Sequence, residues 1–114
     1  MLRERHIEAV RDWVLTFNDV EETTPFGPDT LVYKTAGKMF LLLPLDEDDL
    51  RFNVKCDPDK AIELREQYPQ SVLPGYHMNK KYWNTIVCNP ELSLTQIAAF
   101  ISDSYQLIRS KNKK

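Results

Sequence analysis

The sequence predicts a two-layer α+β domain in which amphipathic helices pack on one face of a mostly antiparallel sheet. Three stretches have apolar residues every three to four positions, the period of a helix with one buried face. Between them lie short apolar runs bounded by Gly, Pro and acidic loops, which are typical of strands. The chain has 114 residues, 42% of them hydrophobic and 28% charged. We therefore predict a single domain, residues 1–114, with the order α-β-β-β-α-β-β-α.

The first element is predicted to be a helix of about four turns. One side carries the apolar residues, and the other carries charged residues. The sequence "TTPFGP", residues 23–28, cannot continue a helix, because two prolines and a glycine fix a rigid connection. The apolar side comprises Leu2, Ile7, Val10, Val14 and Phe17.

Three strands are predicted next. "TLVYKTA" and "KMFLLLPL" flank Ala36 and Gly37, the pattern of a hairpin. "LRFNVKC" then alternates between apolar and polar side chains. Because successive side chains of a strand point to opposite faces, Arg51, Asn53 and Lys55 are expected on the face of the sheet that the helices leave open.

In the second half of the chain, the sequence predicts two capped helices with a pair of strands between them. Asp57 followed by Pro58 is a favourable helix start. The run "SVLPGYHMNKKYWNTIVCN" contains the two strands. Ser93, with Gln96 three residues later, matches a capping box at the start of the last helix. Residues 109–114 are expected to form a basic, flexible tail.

Composition excludes several classes of function. A net charge of -2 argues against a strongly basic nucleic-acid binder, although it permits a local basic patch. The two cysteines, Cys56 and Cys88, fall in apolar runs and are predicted to be free thiols. The N-terminus has no apolar signal region, and the longest apolar run, residues 39–43, is too short to span a membrane. A cytoplasmic location without membrane association is therefore expected.

The sequence shows no pattern of a metal site or a catalytic centre. Its histidines and cysteines lack metal-ligand spacing, and it has neither a Gly-x-Ser-x-Gly motif nor a glycine-rich phosphate loop. Glu4, Glu8 and Asp12 form an acidic ridge on the first helix, which is either a solvated face or a weak cation surface. We predict no catalytic residues, no metal and no cofactor.

The stretch "PGYHMNKKYWNT", residues 74–85, is the strongest candidate for a binding surface. It combines two adjacent lysines, three aromatic residues and several hydrogen-bonding side chains, the ingredients of a nucleic-acid surface. The structural alternative is that Trp83 begins a strand and faces the core, while the lysines occupy a solvated loop. The polar candidates in this stretch are His77, Asn79, Lys80, Lys81 and Asn84.

Several separated motifs carry a resemblance to a known family. "TPFGPDTLVYKTAGKMFLLL", "RFNVKCDPDKAIELREQYP" and "PGYHMNKKYWNT" resemble the MmcQ/YjbR family of small bacterial proteins, nearly from end to end. The resemblance implies a CyaY-like fold with helices on an antiparallel sheet. It also implies a DNA-binding or DNA-associated module that acts through two β wings, with no catalytic residue to carry over.

On this interpretation a monomer binds double-stranded DNA with two wing tips, at Gly37-Lys38 and at residues 79–81. Lysine and arginine side chains would contact phosphates, while His77, Asn79 and Asn84 would orient or read the DNA. The expected basic strip comprises Lys34, Lys38, Arg51, Lys55, Lys80 and Lys81.

Two alternatives remain open at this level. The open sheet face, with Tyr33 or Tyr76 nearby, suits a protein partner or a small anionic ligand. A pocket between the sheet and the loop before Trp83 would favour that function, whereas a continuous basic strip would favour DNA. A metal-associated domain is suggested only by the acidic helix and the analogy of fold.

Overall fold

The computed structural model describes residues 2–47, 49–75 and 78–111. The described elements are α1 (Leu2–Leu15), β1 (Val20–Thr23), β2 (Thr30–Thr35), β3 (Lys38–Pro44), β4 (Arg51–Lys55), α2 (Pro58–Gln67), β5 (Val72–Pro74), β6 (Trp83–Val87) and α3 (Leu94–Lys111). The strands form one six-stranded sheet in the order β1-β2-β3-β4-β6-β5, and every pairing is antiparallel. The predicted α+β class is confirmed.

Two elements differ from the prediction. Strand β1 was not predicted, because its four residues, VEET, lack an apolar alternation; pairing with β2 makes it a strand. The last helix continues through Lys111, so the predicted flexible tail from residue 109 is wrong for its first three residues. Arg109 holds this end of α3 in place by donating to Asp19 Oδ2 at 2.8 Å and to Thr35 Oγ1 at 3.2 Å.

The predicted helix starts and the hairpin are confirmed. Asp57 caps α2, since its carboxylate accepts the Asp59 backbone N–H at 3.2 Å. Ser93 and Gln96 form the reciprocal capping box, with distances of 2.7 and 3.1 Å. The β2–β3 turn places Ala36 at φ 53° and Gly37 at φ 77°, the left-handed conformations that tight hairpins require.

All three helices pack on the same face of the sheet. Helix α1 contributes Val10 and Val14, α2 contributes Leu64, and α3 contributes residues one or two turns apart along its length. These side chains meet the buried residues of β2, β3, β4, β5 and β6 in one core. The core residues that α3 supplies are Ile101, Tyr105 and Ile108.

A β-bulge in the central strand β3 enlarges this core. Tyr33 pairs with Leu41, but the next residue, Lys34, pairs with Met39, so Phe40 is an extra residue. Phe40 and Leu41 therefore both point toward the helices and are fully buried. Beyond the bulge, Met39 returns to the opposite face of the sheet.

Ser104 of α3 satisfies the backbone at this bulge. Its hydroxyl donates to the Phe40 carbonyl oxygen at 2.6 Å and accepts the Lys55 backbone N–H at 2.9 Å. The β3–β4 pairing covers only Leu41 with Val54 and Leu42 with Asn53, so the serine bridges the two strands beyond the point where their pairing stops.

The second face of the sheet is only partly open. It carries a small apolar cluster in which the buried side chains of Val32, Leu42 and Trp83 are packed against Met39, Met78 and Tyr82. Trp83 is 4% exposed. The structural alternative for Trp83 is confirmed, because it begins β6 and is buried in a core cluster, the smaller one on the face away from the helices.

Candidate functional site

The loop between β5 and β6 is held by short-range turns. Backbone N–H groups of Met78 and Tyr82 donate to the carbonyls of Gly75 and Asn79, at 3.2 and 3.0 Å. The Asn79 side chain accepts the Lys81 backbone N–H at 3.0 Å, a hydrogen bond typical of an Asx turn. Asn79 is exposed, but its amide oxygen has a structural role in shaping the lysine loop.

Gly75 is required at the base of this loop by a close backbone approach. It is buried, and its N–H donates to the Trp83 carbonyl at 3.0 Å. A Cβ at this position would lie 2.8 Å from the Trp83 Cβ and 3.0 Å from its carbonyl oxygen. Any side chain here would force the loop away from β6.

Arg65 of α2, a residue that no sequence motif marks, anchors the loop. Its Nε donates to Asn84 Oδ1 at 2.7 Å, and its Nη2 donates to the Lys80 carbonyl oxygen. The Asn84 Nδ2 donates to the Ala61 carbonyl at 3.3 Å. The sequence contains only a weak indication that Arg65 has a structural role, because a single arginine on a helix is usually a solvated surface residue.

The register places the two predicted wing tips at the same end of the sheet. Leu41 pairs with Val54, and Val54 pairs with Asn84, so the start of β3, the end of β4 and the start of β6 are neighbours. With strands about 4.8 Å apart, β3 and β6 are separated by about 10 Å at this end. Lys38 at the turn and the Lys80–Lys81 pair are exposed there.

Two of the lysines at this end lie near aromatic rings. The Lys55 ammonium is 5.6 Å from the centre of the Trp83 ring, on the face away from the helices. The Lys81 ammonium is 5.6 Å from the centre of the Tyr82 ring. Such cation–π contacts orient the side chains while the ammonium groups keep their charge.

Three of the predicted contact residues that the structure describes are placed less favourably for this end. Arg51 lies at the other end of β4, and its guanidinium donates to both carboxylate oxygens of Asp49, at 2.7 and 2.9 Å. Lys34 is opposite Glu21 in the β1–β2 register, so an acid lies beside it. His77 lies outside the described residues, as does Tyr76.

Asn84 is the third of these described residues. It is 0% exposed, and both ends of its amide are hydrogen bonded. The prediction that Asn84 orients or reads a nucleic acid does not fit this burial. Asn84 instead connects β6 with α2, and through Arg65 it supports the loop that carries Lys80.

Tyr33 is likewise unavailable on the open face. It is 0% exposed and points toward the helices, where its hydroxyl donates to Glu22 Oε2 at 2.6 Å. Arg11 of α1 donates to both oxygens of the same carboxylate, at 2.7 and 3.0 Å. Hydrogen bonds from Arg11 lower the pKa of Glu22, although partial burial opposes the shift. Burial chiefly raises the pKa of Tyr33.

A groove of about 320 Å³ lies between the open face of the sheet and Met78 of the loop before β6. Its apolar wall includes Phe26, which is 62% exposed, together with Leu42 and Met78. Asp46 and Glu47 line the same groove, so its charge is unfavourable for the anionic ligand considered above. A second cleft of about 300 Å³ lies on the helix side of the sheet.

Burial disfavours the thiolate form of both cysteines. Both cysteines are free and half-buried. Burial, reinforced by Asp57 and Asp103, raises the pKa of the Cys56 thiol to about 11. Burial also raises the pKa of Cys88 to about 12. A thiol that stays protonated at neutral pH is a poor nucleophile and a poor metal ligand.

Within residues 2–47, 49–75 and 78–111, no three His, Cys, Asp or Glu side chains are grouped so as to hold a metal ion. The side chain of Glu4, one member of the predicted acidic ridge, lies outside the described part of the chain. None of the helices in the same ranges is long and apolar enough to cross a membrane.

Together, the fold and the lysine end define a small α+β domain with three helices on one face of an antiparallel sheet and a basic loop at one end. The family model YjbR matches residues 15–107. The chain belongs to the YjbR family, as the motifs predicted.

The chain is also similar to individual members of known sequence. It is 37% identical over 105 residues to the uncharacterized protein YbdF of Escherichia coli O157:H7, which covers 89% of this chain and 82% of YbdF. It is 35% identical over 57 residues to the uncharacterized protein YyaQ of Bacillus subtilis strain 168, covering 50% of this chain and 47% of YyaQ.

Solved structures share the fold. The crystal structure of Deinococcus radiodurans protein DR2400, with the family-model domain DUF419, superposes with a TM-score of 0.87 at 32% identity. That match covers 95% of this chain and 81% of DR2400. A crystal structure of a Pseudomonas syringae protein gives a TM-score of 0.71 at 26% identity, covering 88% of this chain and 96% of that one.

Proposed function

We propose that this protein is a non-enzymatic, DNA-associated module that contacts duplex phosphates through the lysines at one end of its sheet. The observation that carries the proposal is the register, which brings the β2–β3 turn and the loop before β6 to the same end. Of the nine contact residues expected from the sequence, four form the centre of the proposed phosphate-binding surface. They are Lys38, Lys55, Lys80 and Lys81.

Charge pairing supports this choice of residues. Among the described residues, the ion-paired cations are Arg11, Arg51, Lys60 and Arg109. Lys38, Lys80 and Lys81 form no ion pair with a described carboxylate, so their charges are available to phosphates. Lys34 lies on the flank of the set, where Glu21 reduces its effective charge.

The burial of Trp83 favours duplex DNA over a single strand. Single-strand binders use exposed aromatic rings on which bases stack. Here Trp83 is 4% exposed and covered by Met78 and Tyr82, so it serves packing. Phosphate contact by ammonium groups needs no exposed ring and carries little sequence information.

The experiment is fluorescence anisotropy of a labelled duplex at several low salt concentrations. With about four phosphate contacts, log K should fall against log salt with a slope near -3.6, and Lys81→Ala should reduce that slope by about 0.9. Lys60→Ala is the matched control, because it removes one ammonium from α2 on the helix side. No salt-sensitive binding at low salt, or an equal effect of the two variants, would contradict the proposal.

The groove on the open face supports a second candidate, a protein-interaction module. Its exposed Phe26 and its acidic pair suit a peptide with an apolar side chain next to Lys or Arg. Selection of displayed peptides on the protein should enrich that pattern, and Asp46→Asn with Glu47→Gln should remove the basic preference. If the selected peptides shared no such sequence pattern, the groove would not be a peptide-binding site.

A further inference from the structure

The cleft on the helix side of the sheet has a simple structural origin. Helix α3 packs mainly across β3 and β4, whereas α2 packs across β5 and β6. A valley therefore remains between the two helices above the boundary of β4 and β6. This α2–α3 cleft has a volume of about 300 Å³, the lower end of the range of about 300–1,000 Å³ for small-molecule sites.

The floor of the α2–α3 cleft is apolar. Its side chains come from both strands and both helices, so the surface is assembled by the fold and does not depend on a loop. Such a floor favours the apolar body of a ligand, because burying it removes apolar surface from water. The floor comprises Val54, Leu64, Ile86, Phe100 and Leu107.

The mouth of the cleft carries an excess of negative charge. Among the described lining residues, Asp57 from the start of α2 and Asp103 from α3 supply carboxylates, and Lys60 supplies an ammonium. The Lys60 ammonium is 3.4 Å from the Glu63 carboxylate, which offsets its charge. Lys55 also lines the cleft, although its ammonium lies 5.6 Å from the centre of the Trp83 ring, which is on the opposite face of the sheet.

Both carboxylates lie close to the wall of the cleft. The pKa of the Cys56 thiol, which lines that wall, is raised by burial and then by Asp57 and Asp103, whereas Lys60 and Arg65 lower it. Because the Asp57 Oδ2 accepts the Asp59 N–H, Asp103 is the carboxylate with the greater freedom to meet a ligand.

We propose that the α2–α3 cleft binds a small amphipathic amine, with its apolar ring on the floor and its protonated amine at Asp103 and Asp57. Gln106 and Ser110 at the same mouth supply neutral hydrogen-bonding groups. The site is on the opposite face of the sheet from the lysine loop, so this inference does not depend on DNA binding.

The test uses tryptamine as the probe and indole-3-acetate as its anionic counterpart. Both carry the same ring, so only the charge of the side group differs. In two-dimensional amide NMR titrations of the full chain, tryptamine should shift the amides of Cys56, Asp103 and Leu107. Its binding should be about tenfold tighter than that of indole-3-acetate, since one charge is attracted and the other repelled.

Two variants locate the site. Leu107→Trp should fill the cleft and abolish the shifts. Asp103→Asn, at an exposed position, should leave the fold intact and weaken tryptamine up to about fivefold, as for a partly exposed ion pair. Asp12→Asn on α1 is the matched control and should have no effect.

The proposal would be overturned by any of three results. Tryptamine at millimolar concentration could cause no shifts; the shifts could map to another surface; or tryptamine and indole-3-acetate could bind equally. The last result would exclude the amine specificity even if a ring occupies the cleft. Since Asp103→Asn does not disturb the core, the test stands even if Leu107→Trp fails to fold.

Discussion

Replacing Ser104 with alanine should destabilise the protein far more than the loss of one small side chain suggests. Its hydroxyl is 1% exposed and hydrogen bonded to two backbone groups, the Phe40 carbonyl and the Lys55 N–H. The alanine variant removes both hydrogen bonds, and each satisfies a backbone group at a cost of about 1–3 kcal/mol when it is lost. Alanine's better helix propensity offsets about 0.5 kcal/mol. The expected loss of unfolding free energy is therefore about 3 kcal/mol.

Urea denaturation measures this directly. For an m value of about 1.5 kcal/mol per molar, the midpoint should fall by about 2 M with m unchanged. Ser102→Ala is the matched control: the same substitution, in the same helix, at a half-buried position. Should the two variants agree within about 0.5 kcal/mol, Ser104 would not satisfy the bulge, and the reasoning would be refuted.

Three further predictions concern the loop, the thiols and the acid at the sheet edge. Gly75→Ala should cost about 1–3 kcal/mol, because its Cβ would meet Trp83 at 2.8 Å; thermal unfolding measures the loss. Iodoacetamide should modify native Cys56 slowly at pH 8. Because only the thiolate reacts, the rate should rise about tenfold per pH unit up to the pKa of about 11. Mass spectrometry follows the alkylated product. Glu22→Gln should destabilise the protein at pH 7. Because folding lowers the pKa of Glu22, the difference in unfolding free energy between wild type and variant should narrow as the pH falls below about 4. Urea titrations at several pH values test this.

The controls for these three predictions separate the causes. Gly37 has a positive φ and open space around it, so Gly37→Asn should be milder than Gly37→Ala, whereas Gly75→Asn should be no better than Gly75→Ala. Rapid alkylation of the native thiol at pH 8 would contradict its burial. For Glu22, the lowered pKa contributes stability that is present above the ordinary pKa of about 4.3 and is lost below it. A stability difference between wild type and Glu22→Gln that grew in acid would therefore contradict the Arg11 contact.

Much of the fold could be predicted because local chemistry determined it. The Asp57 cap, the Ser93–Gln96 box and the Ala36–Gly37 turn each depend on residues close in sequence. Strand β1 could not be predicted, because its residues show no strand pattern of their own and only pairing with β2 makes them a strand.

The candidate site was less predictable, because exposure depends on packing between distant elements. The lysines could be singled out by type, and a hairpin pattern indicated one of the two tips. The burial of Asn84 depends on α2, about 20 residues earlier in the chain, and nothing near Asn84 indicates it. The same holds for Arg65, whose contact with the Lys80 carbonyl exists only once α2 lies beside β6.

The anchoring of the loop by Arg65 also has a kinetic consequence. A binding loop that must first become ordered slows association and reduces affinity. Here the Lys80 carbonyl is already fixed from α2, and Asn79 closes the turn at Lys81. A charged partner would therefore meet these lysines without a preceding conformational step, at a rate governed by electrostatic steering and ionic strength. Variants that remove a lysine charge from this loop should then change the association rate and its dependence on salt.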